Sequence, residues 1–495
     1  MGGEITKMQF KPQDFQVFQQ RLNEQLEMLK QIIRRSGFGK DELMLGAELE
    51  MYLVDSDWQV ACKNQQLLQL MDDPQFQTEL NQYNLELNLS AVKAAGTPFS
   101  QMLKQLNEKC ELLQQKADLL SINIVPIGIL PTLQEHHLQR TFMTDTPRYQ
   151  VLIEQLAKLR GDNFNVNING DERVSLQSPD VTSEGANTSF QVHMMVRHES
   201  FADTFNAAQL SLPLTIAMAA NSPILVGNKV WDETRVALFK QSLDVRKKEL
   251  FQWQQPARVS FGSGWVRKDS WELFAAAVAN YEILIPDCAK HSTVSLHKNP
   301  LPTLYELNLH MGTIWPWNRP VYCSEGQGHV RIEFRALPAG PSNIDMVANA
   351  AFSIGLAVGM ADQTEDYISC IPFTFAEYNF YRAAQKGLDA KILWPSKDLH
   401  HSEEVPIRQV IVKMLPVARM GLQKLGVETA EIDTFLGVID RRLKSGITGA
   451  RWQKQILALL DTKMDRAQAC RELVALYHQN SHSGKEVAQW PIAIS

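Results

Sequence analysis

Residues 45–53 read Leu45-Gly46-Ala47-Glu48-Leu49-Glu50-Met51-Tyr52-Leu53. Apolar side chains at 45, 47, 49, 51 and 53 alternate with Gly46, Glu48, Glu50 and Tyr52. This period of two gives a β-strand one oily face and one polar face. Working outward, 83–90 repeats the pattern, with Leu85, Leu87 and Leu89 opposed to Asn84, Glu86, Asn88 and Ser90. Three more strands are expected on the same rule: 189–196 showing Gln191 and His193, 305–310 showing Glu306, Asn308 and His310, and 329–335 showing Arg331, Glu333 and Arg335.

Helical periodicity fills the intervals, at 14–35, 99–120, 149–159, 202–218, 232–252 and 345–360, and in much of the chain after 405. Strands separated by long helical stretches predict an α+β fold, in which an antiparallel or mixed sheet is backed by helices on its apolar side. The polar, acidic face is then left as a floor. Residues 1–390 are expected to form the catalytic α+β domain. Residues 391–495 form a helical C-terminal region, either separate or part of the same domain.

The 495 residues are 44% hydrophobic and 21% charged, which suits a large buried core and excludes disorder as the dominant state. A formal net charge of −6 provides no basic footprint for nucleic acid. The six cysteines are widely spaced, with no CxxC pair for zinc, and are expected as reduced thiols in the cytoplasm. No uninterrupted apolar run of membrane-spanning length is present, so neither a membrane partner nor an export signal is expected. There is no GxxxxGK[ST] loop, and the fragments Gly262-Ser263-Gly264 and Gly326-Gln327-Gly328 lack the third glycine of a dinucleotide fingerprint. The histidine pairs at 136–137 and 400–401 read as surface loop residues.

A solvated outer sheet face is the ordinary explanation of alternating polar residues. Such faces usually mix opposite charges, because like charges on neighbouring strands repel. Here Glu48, Glu50, Glu86 and Glu333 are accompanied by amides, histidines and two arginines, without a lysine. Hard divalent cations such as Mg²⁺ take carboxylate oxygens, and arginine binds phosphate bidentately, so acid and arginine together point to a metal–phosphate site.

At these strands the sequence resembles the glutamate-cysteine ligase family, whose sheet is glutamine-synthetase-like and curved. Gly46-Ala47-Glu48-Leu49-Glu50 is similar to the family's G-x-E-x-E strand, and Glu79 with Glu86 to its next acid pair. His310-Met311-Gly312-Thr313-Ile314-Trp315-Pro316-Trp317-Asn318-Arg319 followed by Arg331-Ile332-Glu333-Phe334-Arg335 resembles H-x-x-T-I-[FW]-P-x-x-R leading to E-x-R. Pro147-Arg148-Tyr149 and Ser445-Gly446-Ile447-Thr448 match shorter elements. Thr188 to His193 fits in two registers, which give one metal-site position to Gln191 or to His193.

The resemblance implies an ATP- and Mg²⁺-dependent carboxylate-amine ligase that joins the γ-carboxylate of glutamate to an amine, cysteine first, in γ-glutamylcysteine synthesis for glutathione. It implies metal ligands among Glu48, Glu50, Glu86, Glu333 and Gln191 or His193. Arg331 and Arg335 are expected at the ATP phosphates, with Arg335 and Glu333 acting in catalysis. Arg148, Tyr149, Arg319 and His310 are expected at the substrates. The insertion 322–328 is expected to reshape one wall. A ligase for another acid or amine, or a non-catalytic nucleotide or metabolite sensor, would carry the same fold.

Overall fold

The computed structural model describes residues 5, 7–247, 253–289, 301–396 and 401–493. Its centre is an eight-stranded antiparallel sheet made of β1 (Met44–Val54), β2 (Phe76–Thr78), β3 (Asn84–Asn88), β4 (Val92–Lys93), β5 (Asn123–Val125), β6 (Phe190–Val196), β7 (Asn318–Cys323) and β8 (His329–Phe334). The order is β7-β8-β6-β1-β3-β2, with β4 and β5 each pairing with β1. The fold is α+β with a curled half-barrel sheet, as expected.

The alternation in β1 does what its sequence requires. Leu45, Ala47, Leu49, Met51 and Leu53 all enter the main core, joined by Leu85 and Leu87 of β3, Val192 and Met194 of β6, and Ile332 and Phe334 of β8. Burial of such side chains, each contributing roughly 1.5–3 kcal/mol, fixes the register, since a one-residue slip would turn the acids into that core. Behind it lie the helices Phe201–Ala219 and Asn343–Met360, buried almost all round. Asn343–Cys370 holds the one stretch among the described residues that is long and apolar enough to cross a membrane. It is 83% buried within the molecule, packed against Phe201–Ala219 and Ile407–Lys424.

Three local expectations need correction. Residues 305–310 are not a strand but the start of a helix, Tyr305–Met311. Six alternating residues also span little more than one helical turn, in which Glu306 and His310 share a face at i, i+4. Glu306 there accepts from Arg21 Nη1 at 2.6 Å and Ala289 N at 3.1 Å, tying the N-terminal helix Pro12–Ile32 to the core. The helix expected over 232–252 is confined to Arg235–Ser242, because the Glu233 carboxylate is drawn back onto Asn221 N and Ser222 Oγ; 248–252 lie outside the described residues. Of the histidine pairs, His137 is buried with Nδ1 accepting from Gln134 N at 3.2 Å, while His400 lies outside the described residues.

The C-terminal region opens on a hairpin, Lys391–Pro395 with Ser402–Pro406, and continues as helices Ile407–Lys424, Thr429–Ser445, Gly449–Leu460 and Arg466–Ser481. It is stitched into the rest. Arg442 Nη2 donates to Asp345 Oδ1 at 2.6 Å and Nη1 to Met218 O at 3.0 Å, all buried. Tyr477 Oη donates to Pro126 O at 2.9 Å and accepts from Asn221 Nδ2 at 2.8 Å. Gly421 faces Gly355 so closely that an added Cβ would collide with the Gly355 carbonyl.

Candidate active site

The polar face is not solvated. Glu48, Glu86, Gln191, His193 and Glu333 are each at most 7% exposed. Register explains which of them meet. In the β1–β3 pair Glu50 stands directly opposite Glu86, in the β1–β6 pair Glu48 opposite Gln191, and in the β8–β6 pair Glu333 opposite His193. Two groups result, each with ligand atoms within 4.8 Å of one another: Glu48, His193 and Glu333, and Glu50, Glu79 and Glu86. The side chains of Gln191 and His193 both lie on this face, the first opposite Glu48 and the second opposite Glu333.

In the first group His193 Nε2 lies 3.0 Å from Glu48 Oε1 and 3.9 Å from Glu333 Oε1. Neither approach meets hydrogen-bond geometry, so Nε2 and Glu48 Oε2 are buried without a partner. Burial raises Glu48, but His193 beside it more than offsets this and leaves the carboxyl below its ordinary value. Glu333 is gripped from two sides. Arg319 donates Nε to Oε2 at 2.5 Å and Nη2 to Oε1 at 3.0 Å, and Arg335 donates Nη1 to Oε1 at 3.0 Å. Against burial, these guanidiniums hold Glu333 well below the carboxylate range.

The second group has the opposite electrostatics. Among the described residues no lysine or arginine lies within ion-pair distance of Glu50, Glu79 or Glu86. Burial and then Glu86 push Glu50 up to about 7, against the pull of Arg335. Glu79 is driven well above its ordinary value by burial, Glu86 and Glu50, and Glu86 upward by burial and Glu48. Like charges facing each other across a strand pair are destabilising without a cation between them. Glu50 is held in place nonetheless, accepting from Ser189 N at 2.8 Å, Ser189 Oγ at 2.9 Å and Gln191 Nε2 at 2.7 Å. Gln191 Oε1 in turn accepts from Arg335 Nη1 at 2.5 Å, linking the two groups. The donor sets, carboxylates with one imidazole and orphaned oxygen and nitrogen atoms, fit a hard divalent cation.

Arg331 Nε donates to His193 Nδ1 at 3.1 Å. Arg148 and Tyr149 open the helix Pro147–Arg160, where Thr146 caps and Pro147 preorganises the first turn. Tyr149 Oη donates to Thr78 O at 3.3 Å, next to Glu79, and Arg148 is lowered by burial with Arg319 nearby. His310 is not brought to this face. It sits in the core with Nε2 3.2 Å from Ala277 O, its pKa lowered to about 4 by burial. The 322–328 insertion comprises the end of β7 and the turn of the β7–β8 hairpin, with Gln327 N donating to Asp41 Oδ2 at 2.8 Å.

Residues that sequence reasoning missed include Ser189, Arg235 and Glu184. Arg235 donates Nη1 to Ala336 O at 3.2 Å, just past Arg335. Glu184, in the short turn Thr182–Ala186 before β6, is pushed up to about 8 by burial and Glu50, against Arg335. A turn residue carries no periodic signal, and only its distance of a few residues from Gln191 could have drawn attention to it.

Comparison with known proteins bears on the fold and on the family. No curated protein sequence matches the chain. A glutamate–cysteine ligase from Francisella tularensis, solved in complex with AMP, has a similar structure: TM-score 0.54 at 10% identity, covering 90% of each chain. A bifunctional glutathione synthetase from Pasteurella multocida aligns at TM-score 0.48 and 12% identity, over 94% of this chain and 55% of that one. The family model of glutamate-cysteine ligase family 2 (GCS2) matches residues 44–268, a segment that contains β1, β3 and β6, whereas Arg319, Arg331, Glu333 and Arg335 lie beyond it. Over residues 44–268 the chain therefore carries the sequence pattern of glutamate-cysteine ligase family 2, that of a carboxylate-amine ligase, on a fold it shares along most of its length with a glutamate–cysteine ligase.

Proposed function

We propose that the protein is a cytoplasmic ATP- and Mg²⁺-dependent ligase that joins the γ-carboxylate of glutamate to an amine, with cysteine the first candidate. The observation that carries this reading is the pair of buried carboxylate groups on one sheet face, linked through Gln191 to Arg335. Bound Mg²⁺ would neutralise these acids and the phosphate oxygens opposite them. Glu48, His193 and Glu333 would hold one ion, and Glu50, Glu79 and Glu86 another.

The rest is positioning by side chains. Arg335, whose Nε has no partner, faces the middle of the floor and stabilises the γ-phosphoryl group as it transfers. The glutamate carboxylate attacks phosphorus, the bond to ADP breaks, and γ-glutamyl phosphate forms. The amine nitrogen then attacks the acyl carbon, the bond to phosphate breaks, and the proton shed by the amine goes to the departing phosphate. Arg148 would take a substrate carboxylate, with Tyr149 beside it, while Arg319 keeps Glu333 in position. Residues 1–390 form the catalytic part and 391–495 its helical buttress, a reading supported by the Arg442–Asp345 and Tyr477–Pro126 contacts.

The test is phosphate release from Mg-ATP and glutamate across a panel of amines, with mass spectrometry of the product. γ-Glutamylcysteine formed with cysteine supports the full reading, and another amide changes the acceptor alone. Phosphate release by Glu50→Gln and Glu333→Gln at the normal rate would sink the metal assignment.

A further inference from the structure

Away from the floor, Phe164–Asn169 and Arg173–Ser178 form a hairpin that pairs with no other strand among the described residues. Val166 and Leu176 stand directly opposite each other in it and are both buried, so they make one apolar patch on its inner face. Between this patch, Leu138 and the turn Thr182–Ala186 lies an open cavity of about 320 Å³, within the range of roughly 300–1,000 Å³ usual for small-molecule sites. None of the floor acids lines it. The turn stands between the two, since Ser183 lines the cavity and the next residue, Glu184, interacts with Glu50.

Two buried polar groups on the cavity are left over. Ser183 is 3% exposed, and its Oγ is buried without a partner. Asp180 is 7% exposed; its Oδ1 accepts from Thr182 N at 2.9 Å and Thr182 Oγ1 at 2.6 Å, while Oδ2 takes no hydrogen bond or ion pair among the described residues. A carboxylate taken this far out of water calls for a compensating charge or donor. At the mouth Glu135 has no ion pair among the described residues either, and Arg140, the one cationic side chain on the lining, lies 3.3 Å from Glu154. The cavity is therefore apolar in body and negative at one end.

We propose that this cavity is a second ligand site, separate from the catalytic floor, which takes a small molecule with a protonated amine and an apolar body. The ammonium donates to Asp180 Oδ2 and Ser183 Oγ, and the body covers Leu138, Val166 and Leu176. An anion is repelled by Asp180 and Glu135. A neutral alcohol of the same length covers the apolar wall but leaves the carboxylate uncompensated. The site holds none of the residues assigned to metal or phosphate, so it stands whether or not those assignments do.

The test is calorimetric titration of the nucleotide-free protein at neutral pH with hexylamine, 1-hexanol, methylamine and hexanoate, on wild type, Asp180→Asn, Leu176→Trp and Glu50→Gln. Wild type should bind one hexylamine, with 1-hexanol and methylamine each about tenfold weaker and hexanoate weaker still, since the charged hydrogen bond and the buried alkyl chain each contribute on that order. Asp180→Asn should weaken hexylamine about tenfold and leave 1-hexanol within about twofold. Leu176→Trp fills the apolar wall and should abolish binding of both. Ser183→Ala removes only a hydroxyl and serves if the tryptophan variant does not fold; it should weaken hexylamine about fivefold. Glu50→Gln, a change on the floor, should bind hexylamine as wild type does. Wild type that binds no hexylamine, or binds hexanoate as tightly, would overturn the site, as would binding unaltered by the cavity variants. Hexylamine binding lost in Glu50→Gln and kept in Asp180→Asn would put the amine on the floor and overturn it too.

Discussion

Without a divalent cation at the Glu50–Glu79–Glu86 group, the protein should become less stable as pH rises, in a window set by Glu50. Its carboxyl moves from 4.5 in the unfolded chain to about 7 in the fold. A group whose folded pKa is raised binds more protons folded than unfolded, so between these values stability falls with increasing pH. At about 1.4 kcal/mol for each pH unit, the metal-free protein loses about 3 kcal/mol across the window. That is the share of Glu50; Glu79 and Glu86, raised by the same burial and crowding, add to the loss. The assay is chemical denaturation at several values between about pH 5 and 8, in EDTA and in excess Mg²⁺, on wild type and Glu50→Gln. The wild type should slope downward in EDTA and flatten in Mg²⁺, whereas Glu50→Gln should show a reduced slope in both. Metal-free stability that is flat or rises through the window, with the same profile in the variant, would refute the electrostatic reasoning.

Three further outcomes are expected. Arg319→Met leaves Glu333, fully buried, with Arg335 as its remaining close partner, and should cost about 3–5 kcal/mol in denaturant unfolding, far more than loss of an exposed pair. Gly421→Ala drives a Cβ into the Gly355 carbonyl and should lower stability by roughly 1–3 kcal/mol, read as a drop in melting temperature with site residues untouched. His310→Gln should cost about 1 kcal/mol of stability and leave every KM unchanged, because the ring is bonded to Ala277 O in the core; a raised substrate KM at normal stability would instead put His310 at a substrate.

Much of the floor was legible because β1, β3, β6 and β8 alternate strictly and both of their faces are buried, so pattern and packing agree. The pairing of Glu50 with Glu86 was not legible, since register comes from the connections between strands and not from either strand alone. Nor does either strand alone show that Arg319, expected at a substrate, stands directly across the β7–β8 hairpin from Glu333 and donates to it. The segment at 305–311 misled because six residues cannot separate a period of two from a single turn of helix. Glu184 reaches the site from a turn, where no periodicity exists to be read.

Asn221 gives the molecule an order of completion. Its Nδ2 donates to Ala339 O at 2.7 Å, four residues past Arg335, and to the Tyr477 hydroxyl at 2.8 Å, which itself reaches Pro126. The backbone just after the Arg335 strand is therefore braced by a helix made more than a hundred residues later. During synthesis the acidic strands can pair early, but the brace on Arg335 arrives only when Arg466–Ser481 has left the ribosome. A partly made chain would pair its acidic strands while the segment that follows Arg335 still lacked this brace.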